Sequence, residues 1–167
     1  HYHKKWWFLK MGIEIERKFL VKKEKWNQLE KPRGENFRQG YLLTDPKKTI
    51  RVRQTSDKGF LTIKGISVGA TRAEYEYEIP FVEAQELLDQ FAVSELSKIR
   101  YKISVDHHIW EVDVFFGENE GLIVAEIELK TEDESFKTPD WIAQEVTAEE
   151  KYFNSNLTLN PYKNWEL

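Results

Sequence analysis

The sequence predicts a mainly β (α+β) protein: an antiparallel sheet of seven or eight strands, rich enough to close into a barrel, with only a few helices. Three observations carry this expectation. Apolar and polar residues alternate with period two through most of the chain, the spacing of strands with two unlike faces. Short turn signals such as TDPK at 44–47 and SDKG at 56–59 separate the alternating stretches. With 167 residues, 40% of them hydrophobic, the chain is long enough to bury roughly two thirds of its unfolded surface around one core.

The expected strands run in order from Gly12 to Lys22, Phe37 to Leu43, Thr49 to Thr55, Phe60 to Ile66 and Arg72 to Ile79. Pro80 ends the fifth, because proline cannot donate to a strand ladder. After it, FVEAQELLDQF places apolar residues at 82, 87, 88 and 91, an amphipathic helix. Alternation then returns at 98–105, 108–115 and 121–129, with GENEG as the turn between the last two. Thr147 and Glu150 have the spacing of a capping box that opens a short helix through Tyr152 and Phe153. Residues 1–10, HYHKKWWFLK, lack the apolar stretch and small-residue cleavage site of a signal peptide. They are expected to be a leader or cloning remnant, with 11–167 as a single domain.

Composition excludes several chemistries. Cysteine is absent, which removes disulfides, thiolate metal sites and a Cys nucleophile. The net charge of −4 argues against a nucleic acid polymer as partner, and no apolar run approaches the ~20 residues of a membrane span. A cytoplasmic monomer or homodimer acting on a small molecule is the expectation. GISVG lacks the lysine of a phosphate-binding loop, and His107 and His108 have no partnered Ser motif. Trp110 and Trp141 read as packing residues.

The stretch EIERK sets the central question. In a strand, Glu14, Glu16 and Lys18 share one face and Ile13, Ile15 and Arg17 the other. The pattern recurs: Arg51 and Arg53; Thr62 and Lys64; Glu74, Glu76 and Glu78; Lys98, Arg100 and Lys102; Glu111 and Asp113; Glu126, Glu128 and Lys130. A half-wet antiparallel sheet alternates in this way as a matter of course. Triplets of one sign are less ordinary on such a face. If the charged face instead lines a barrel, so many buried charges are tolerable only where ligands neutralise them or water fills the space. Spaced arginines and lysines suit phosphoryl oxygens, and grouped carboxylates suit Mg²⁺ or Mn²⁺. A polyphosphate bridged to a divalent ion uses both.

The chain also resembles the CYTH superfamily, the triphosphate tunnel metalloenzymes. The resemblance rests on ExExK at Glu14, Glu16 and Lys18, QGYL at 39–42, RxR at Arg51 and Arg53, TIKG with Lys64, the acidic strand at Glu74 to Glu78, KxR at Lys98 and Arg100, ExE at Glu126 and Glu128, and EVT with an NSNL-like tail. It covers Met11 to roughly Pro161.

It implies a closed eight-stranded antiparallel barrel, the triphosphate tunnel, with a few flanking helices, and a Mg²⁺- or Mn²⁺-dependent hydrolase of triphosphate compounds. Inorganic tripolyphosphate is the first expectation. The alternatives are class IV adenylyl cyclase, whose aromatic-glycine lead WWFLKMG matches poorly, thiamine triphosphatase, and a non-catalytic polyphosphate- or nucleotide-binding module. Carried over by position, Lys18, Arg51, Arg53, Lys64, Lys98 and Arg100 would hold the triphosphate, with Tyr41 a further contact. Glu14, Glu16, Asp113, Glu126 and Glu128 would hold metal. Lys18, Arg53, Glu76 and Lys151 would carry catalytic roles, Glu76 orienting a cation or a second metal and Lys151 guarding the mouth. Lys102, Lys130, Glu74, Glu78 and Glu111 are the weaker placements, since strand ends can leave them outside.

Overall fold

The computed structural model describes residues 12–166; the leader expected at 1–10 lies outside the described residues. Nine strands and three α-helices follow in the order β1 (Ile13–Val21), α1 (Lys23–Gln28), β2 (Glu35–Asp45), β3 (Lys48–Gln54), β4 (Gly59–Gly65), β5 (Thr71–Ile79), α2 (Phe81–Phe91), β6 (Ser94–Val105), β7 (His108–Phe115), β8 (Ile123–Glu128), β9 (Ile142–Glu145) and α3 (Asn154–Leu159).

Eight strands close a barrel in the order β5-β4-β3-β2-β6-β7-β8-β1, with β1 returning to β5. Every pairing is antiparallel, and most are joined by short turns. Between β6 and β7 the turn is Asp106-His107, with Asp106 at φ 55, a left-handed conformation that Asp tolerates better than most residues. The closing seam is short, pairing Ile13 with Ala73, Glu14 with Arg72 and Ile15 with Thr71. Further along the same edge, β1 pairs with β9 at Phe19↔Glu145 and Val21↔Ile142. The first strand therefore closes the barrel with one half and ties down the C-terminal region with the other.

Alternation along these strands turns the charges inward and much of the hydrophobic core outward. On the outer face of β1, β7 and β8, Phe19, Trp110, Val112, Ala125 and Ile127 pack with Trp26 of α1 and with Trp141 and Ile142. Trp110 meets Phe19 at 5.4 Å and Trp141 at 6.0 Å, both edge to face. On another side, Ala84 and Leu88 of α2, one helical turn apart, cover Val52 of β3.

The inward face is not charged throughout. Leu20, Leu96, Phe115 and Val124 share the inward parity of Lys18, Lys98, Asp113 and Glu126. They meet Val146, Tyr152 and Leu157 in a second apolar cluster, which closes one end of the barrel.

Two local expectations differ from the structure, and two short elements were not expected. The capping box at Thr147 does not form: the Thr147 hydroxyl donates to Glu145 and accepts the Lys18 amide at 3.0 Å. Residues 150–152 make only a 3₁₀ turn, and the helix begins at Asn154. The short helix α1, with Trp26 as its one buried residue, and the four-residue β9 are too brief to leave a periodic signal.

Gly59 marks how closely α2 lies on the barrel. A Cβ at this position would stand 2.6 Å from the Ala84 Cβ and 3.1 Å from the Ile79 carbonyl oxygen. Gly59→Ala is expected to push α2 off the sheet and cost about 1–3 kcal/mol, read as a lowered urea midpoint at unchanged m-value. An unshifted midpoint would contradict this packing.

Candidate active site

A cavity of about 830 Å³ lies within the barrel, lined by the alternate residues of the strands. β1 supplies Glu14, Glu16 and Lys18; β3 supplies Arg51 and Arg53; Lys64, Glu74 and Glu76 come from β4 and β5; Lys98 and Arg100 from β6; and Glu126 and Glu128 from β8. The two signs are not evenly mixed.

The acidic side gathers around the seam. Glu14, Glu74 and Glu128 each bring a carboxylate oxygen within 4.8 Å of the others. Lys64 sits against two of them, its Nζ 3.0 Å from Glu14 and 3.3 Å from Glu74, and their attraction outweighs burial to hold the ammonium above its usual range. For Glu16 the balance is reversed. Burial, then Glu126 and Glu14, raise its carboxyl well above the ordinary value because a further negative charge here is desolvated and repelled. Three close hard-oxygen donors beside a carboxyl that resists ionisation are the environment a divalent cation relieves.

The cationic side is built on β3 and β6. Arg51 donates to Thr62 Oγ1 at 3.2 Å and to Glu76 at 3.3 Å. Arg53 approaches Glu76 only to 3.7 Å. Burial, then the neighbouring Arg51, push the Arg53 guanidinium down to about 10. The Nε atoms of both arginines are buried without a hydrogen-bond partner. Burial would raise the Glu76 carboxyl, but Arg53, Arg51 and the Thr62 hydroxyl hold it below the usual range, so an ionised carboxylate fixes the β3 pair.

Arg100 is held differently. It grips Asp113 with two bonds of 2.8 and 2.9 Å and reaches Glu111 and Glu126, each at 3.2 Å. Lys98, 1% exposed, places its Nζ 2.8 Å from Asp113 and donates to Asn154 Oδ1 at 3.1 Å. Burial pushes this ammonium down to about 8, only partly offset by Asp113.

Most of the residues singled out in the sequence thus line one cavity, Tyr41 among them. Two do not. Asp113 is 1% exposed and lies beneath Lys98 and Arg100, outside the lining. Lys151 is also outside the lining, its Nζ over the rings of Tyr152 and Trp165 at 5.3 and 4.7 Å. Phe153, Asn154 and Ser155 of the same segment do face the cavity. Lys18 binds this segment through the Tyr152 carbonyl at 3.4 Å.

Of the weaker placements, Glu74 belongs to the carboxylate triad, Glu78, Lys102 and Glu111 line the cavity, and Lys130 does not. The sequence reading missed Phe37, Phe60 and Arg72. For Phe37 the available signal was its strand parity with Gln39 and Tyr41.

Comparison with known proteins agrees with this architecture. The CYTH domain model matches residues 12–159. An inorganic triphosphatase of Acetivibrio thermocellus is 52% identical over 157 residues, 93% of this chain and 99% of that protein. An inorganic triphosphatase of Nitrosomonas europaea is 35% identical over 155 residues, 88% and 97% of the two chains. The solved structure of the inorganic triphosphatase NE1496 superposes with a TM-score of 0.60 at 32% identity, covering 87% of this chain and 94% of that one.

Asp113 gives the sharpest test of the buried ion pairs. Burial opposes its ionisation, but Arg100 and Lys98 outweigh burial and hold the carboxyl well below the usual range. A depressed carboxyl adds stability above its unfolded value of about 3.9 and loses it as pH falls toward the folded value. Asp113→Asn is expected to cost about 3–5 kcal/mol at neutral pH and to flatten the acid side of a melting-temperature profile. A variant with wild-type stability at pH 7 would refute the pairing.

Proposed function

This chain belongs to the CYTH domain family, and we propose that it is a divalent-metal-dependent triphosphatase whose substrate is inorganic tripolyphosphate. The observation that carries the reading is the division of one cavity into a carboxylate cluster (Glu14, Glu74 and Glu128) and a guanidinium-ammonium wall (Arg51, Arg53, Lys98 and Arg100). It is supported by the two relatives, at 52% and 35% identity, that are inorganic triphosphatases. A polyanion with a bound divalent cation matches both sides at once.

Mg²⁺ or Mn²⁺ suits the donor set, because the available ligands are all carboxylate oxygens. Glu14, Glu74 and Glu128 would hold the ion, with Glu16 and Glu126 beside them. When bound, the ion supplies polarisation of phosphoryl oxygens and orientation of a water nucleophile.

The chain's own groups do the rest. Arg51, Arg53, Lys98 and Arg100 bind the phosphoryl oxygens and stabilise the negative charge that grows on the leaving phosphate. Lys18 and Lys64 bridge the two sides, each already within 3.4 Å of a carboxylate. Glu76 orients Arg51 and Arg53. Asp113, beneath the lining, serves as the positioning partner of Lys98 and Arg100 rather than as a metal ligand. The apolar cluster around Leu96 and Phe115 keeps one end of the cavity shut to water. In this reading the protein works in the cytoplasm on a small molecule. Among the described residues no helix is long and apolar enough to cross a membrane.

The test is phosphate release from tripolyphosphate, ATP and thiamine triphosphate, each with Mg²⁺, Mn²⁺ or EDTA. Tripolyphosphate is expected to be the best substrate, with release abolished by EDTA. Arg53→Ala and Glu14→Gln should each lower kcat/KM by about 10²–10³, the scale of removing one preorganised electrostatic group, with the fold retained. Cyclic AMP formation from ATP, or full activity of both variants, would overturn the assignment.

A further inference from the structure

Three phenylalanines line the ionic lumen; Phe153 of the C-terminal segment sits by Lys18 and Arg72, and the other two stand on strands. Phe37 on β2 and Phe60 on β4 both line the cavity, and neither belongs to the three apolar clusters of the described residues. Their neighbours are guanidiniums. The Arg53 Cζ lies 4.9 Å from the Phe37 ring centroid and 5.2 Å from that of Phe60. The Arg100 Cζ lies 5.1 Å from the Phe37 ring.

The two arginines are secured in opposite ways. Arg100 commits four of its five N–H groups to Asp113, Glu111 and Glu126. Arg53 has Glu76 beyond hydrogen-bond reach at 3.7 Å, and its Nε is buried with no partner. A carboxylate that fixes a guanidinium uses up N–H donors. A ring attracts the cation through its quadrupole and leaves all five N–H groups unspent. It does so at the place where a second cation, Arg51, crowds the same strand.

We propose that Phe37 and Phe60 are positioning residues that hold the Arg53 guanidinium by its faces so that its N–H donors stay uncommitted for a phosphoryl group. Phe37 also sets the spacing between Arg53 and Arg100. This inference rests on the triphosphate reading of the cavity.

The experiment is a double-mutant cycle on binding, read by calorimetric titration of tripolyphosphate in EDTA and so apart from turnover. Phe60→Leu is expected to weaken Kd about 5- to 30-fold, the range for a desolvated cation–π contact. Phe60→Tyr, which keeps the ring, restores most of that loss. In an Arg53→Ala background, Phe60→Leu adds no further loss, because its effect passes through Arg53. Phe37→Leu, which loosens two guanidiniums, weakens binding more than Phe60→Leu does.

Melting temperatures establish that each variant is folded. An equal loss in both backgrounds, or no loss from Phe60→Leu alone, overturns the proposal. Wild-type protein that binds tripolyphosphate but hydrolyses it with neither Mg²⁺ nor Mn²⁺ would retire the triphosphatase reading, and the cycle would still decide this one. Absence of binding by the wild type in EDTA would overturn this proposal, and absence with Mg²⁺ as well would overturn both.

Discussion

Charge compensation inside a closed barrel governs this molecule. A side chain on the inner face of eight paired strands cannot turn out to bulk water, so each inward charge must find a partner or remain desolvated. Some are fully compensated: Lys98 and Asp113 are each 1% exposed and 2.8 Å apart, and Arg100 closes the same cluster. Others are left beside their own kind. Glu14, Glu74 and Glu128 crowd together with one lysine reaching two of them, and Arg51 and Arg53 share the single carboxylate of Glu76. Like charges crowded in this way favour the binding of ions of the opposite sign.

Stability must then come from elsewhere, and the outer surface supplies it. The edge-to-face array of Phe19, Trp110, Trp141 and Trp26 covers one flank, α2 another, and the C-terminal segment seals one end. The usual arrangement of a small barrel, apolar within and polar without, is inverted over much of its circumference. Because β1 pairs with β8, β5 and β9, the strand carrying Glu14, Glu16 and Lys18 is also the one that joins these layers.

The alternation that builds the barrel was readable because each period-two stretch is long and its turns are short. The inward set could be read for the same reason: parity alone puts Arg51 with Arg53 and Lys98 with Arg100. What parity cannot give is depth. Asp113 has the parity of a cavity residue yet lies beneath two cations, and Leu96 and Phe115 have it at the end where the lumen turns apolar. Lys151 has its Nζ over the rings of Tyr152 and Trp165 rather than in the lining, a placement that depends on a C-terminal segment without periodic signal. Phe37 and Phe60 were passed over because an aromatic in a strand reads as core, although each shares strand parity with cavity residues, Phe37 with Tyr41 and Phe60 with Lys64.

The most direct test of the central claim is the melting temperature with divalent cation alone, with tripolyphosphate alone, and with both. If a crowded carboxylate cluster and a crowded cationic wall share a single cavity, each ligand relieves the like-charge crowding of one and carries a partner for the other. The rise with both should therefore exceed the sum of the separate rises. Strictly additive shifts would mean that the two clusters do not meet through a shared ligand. No shift under any condition would mean that the charges are a self-contained lining, and would contradict the account.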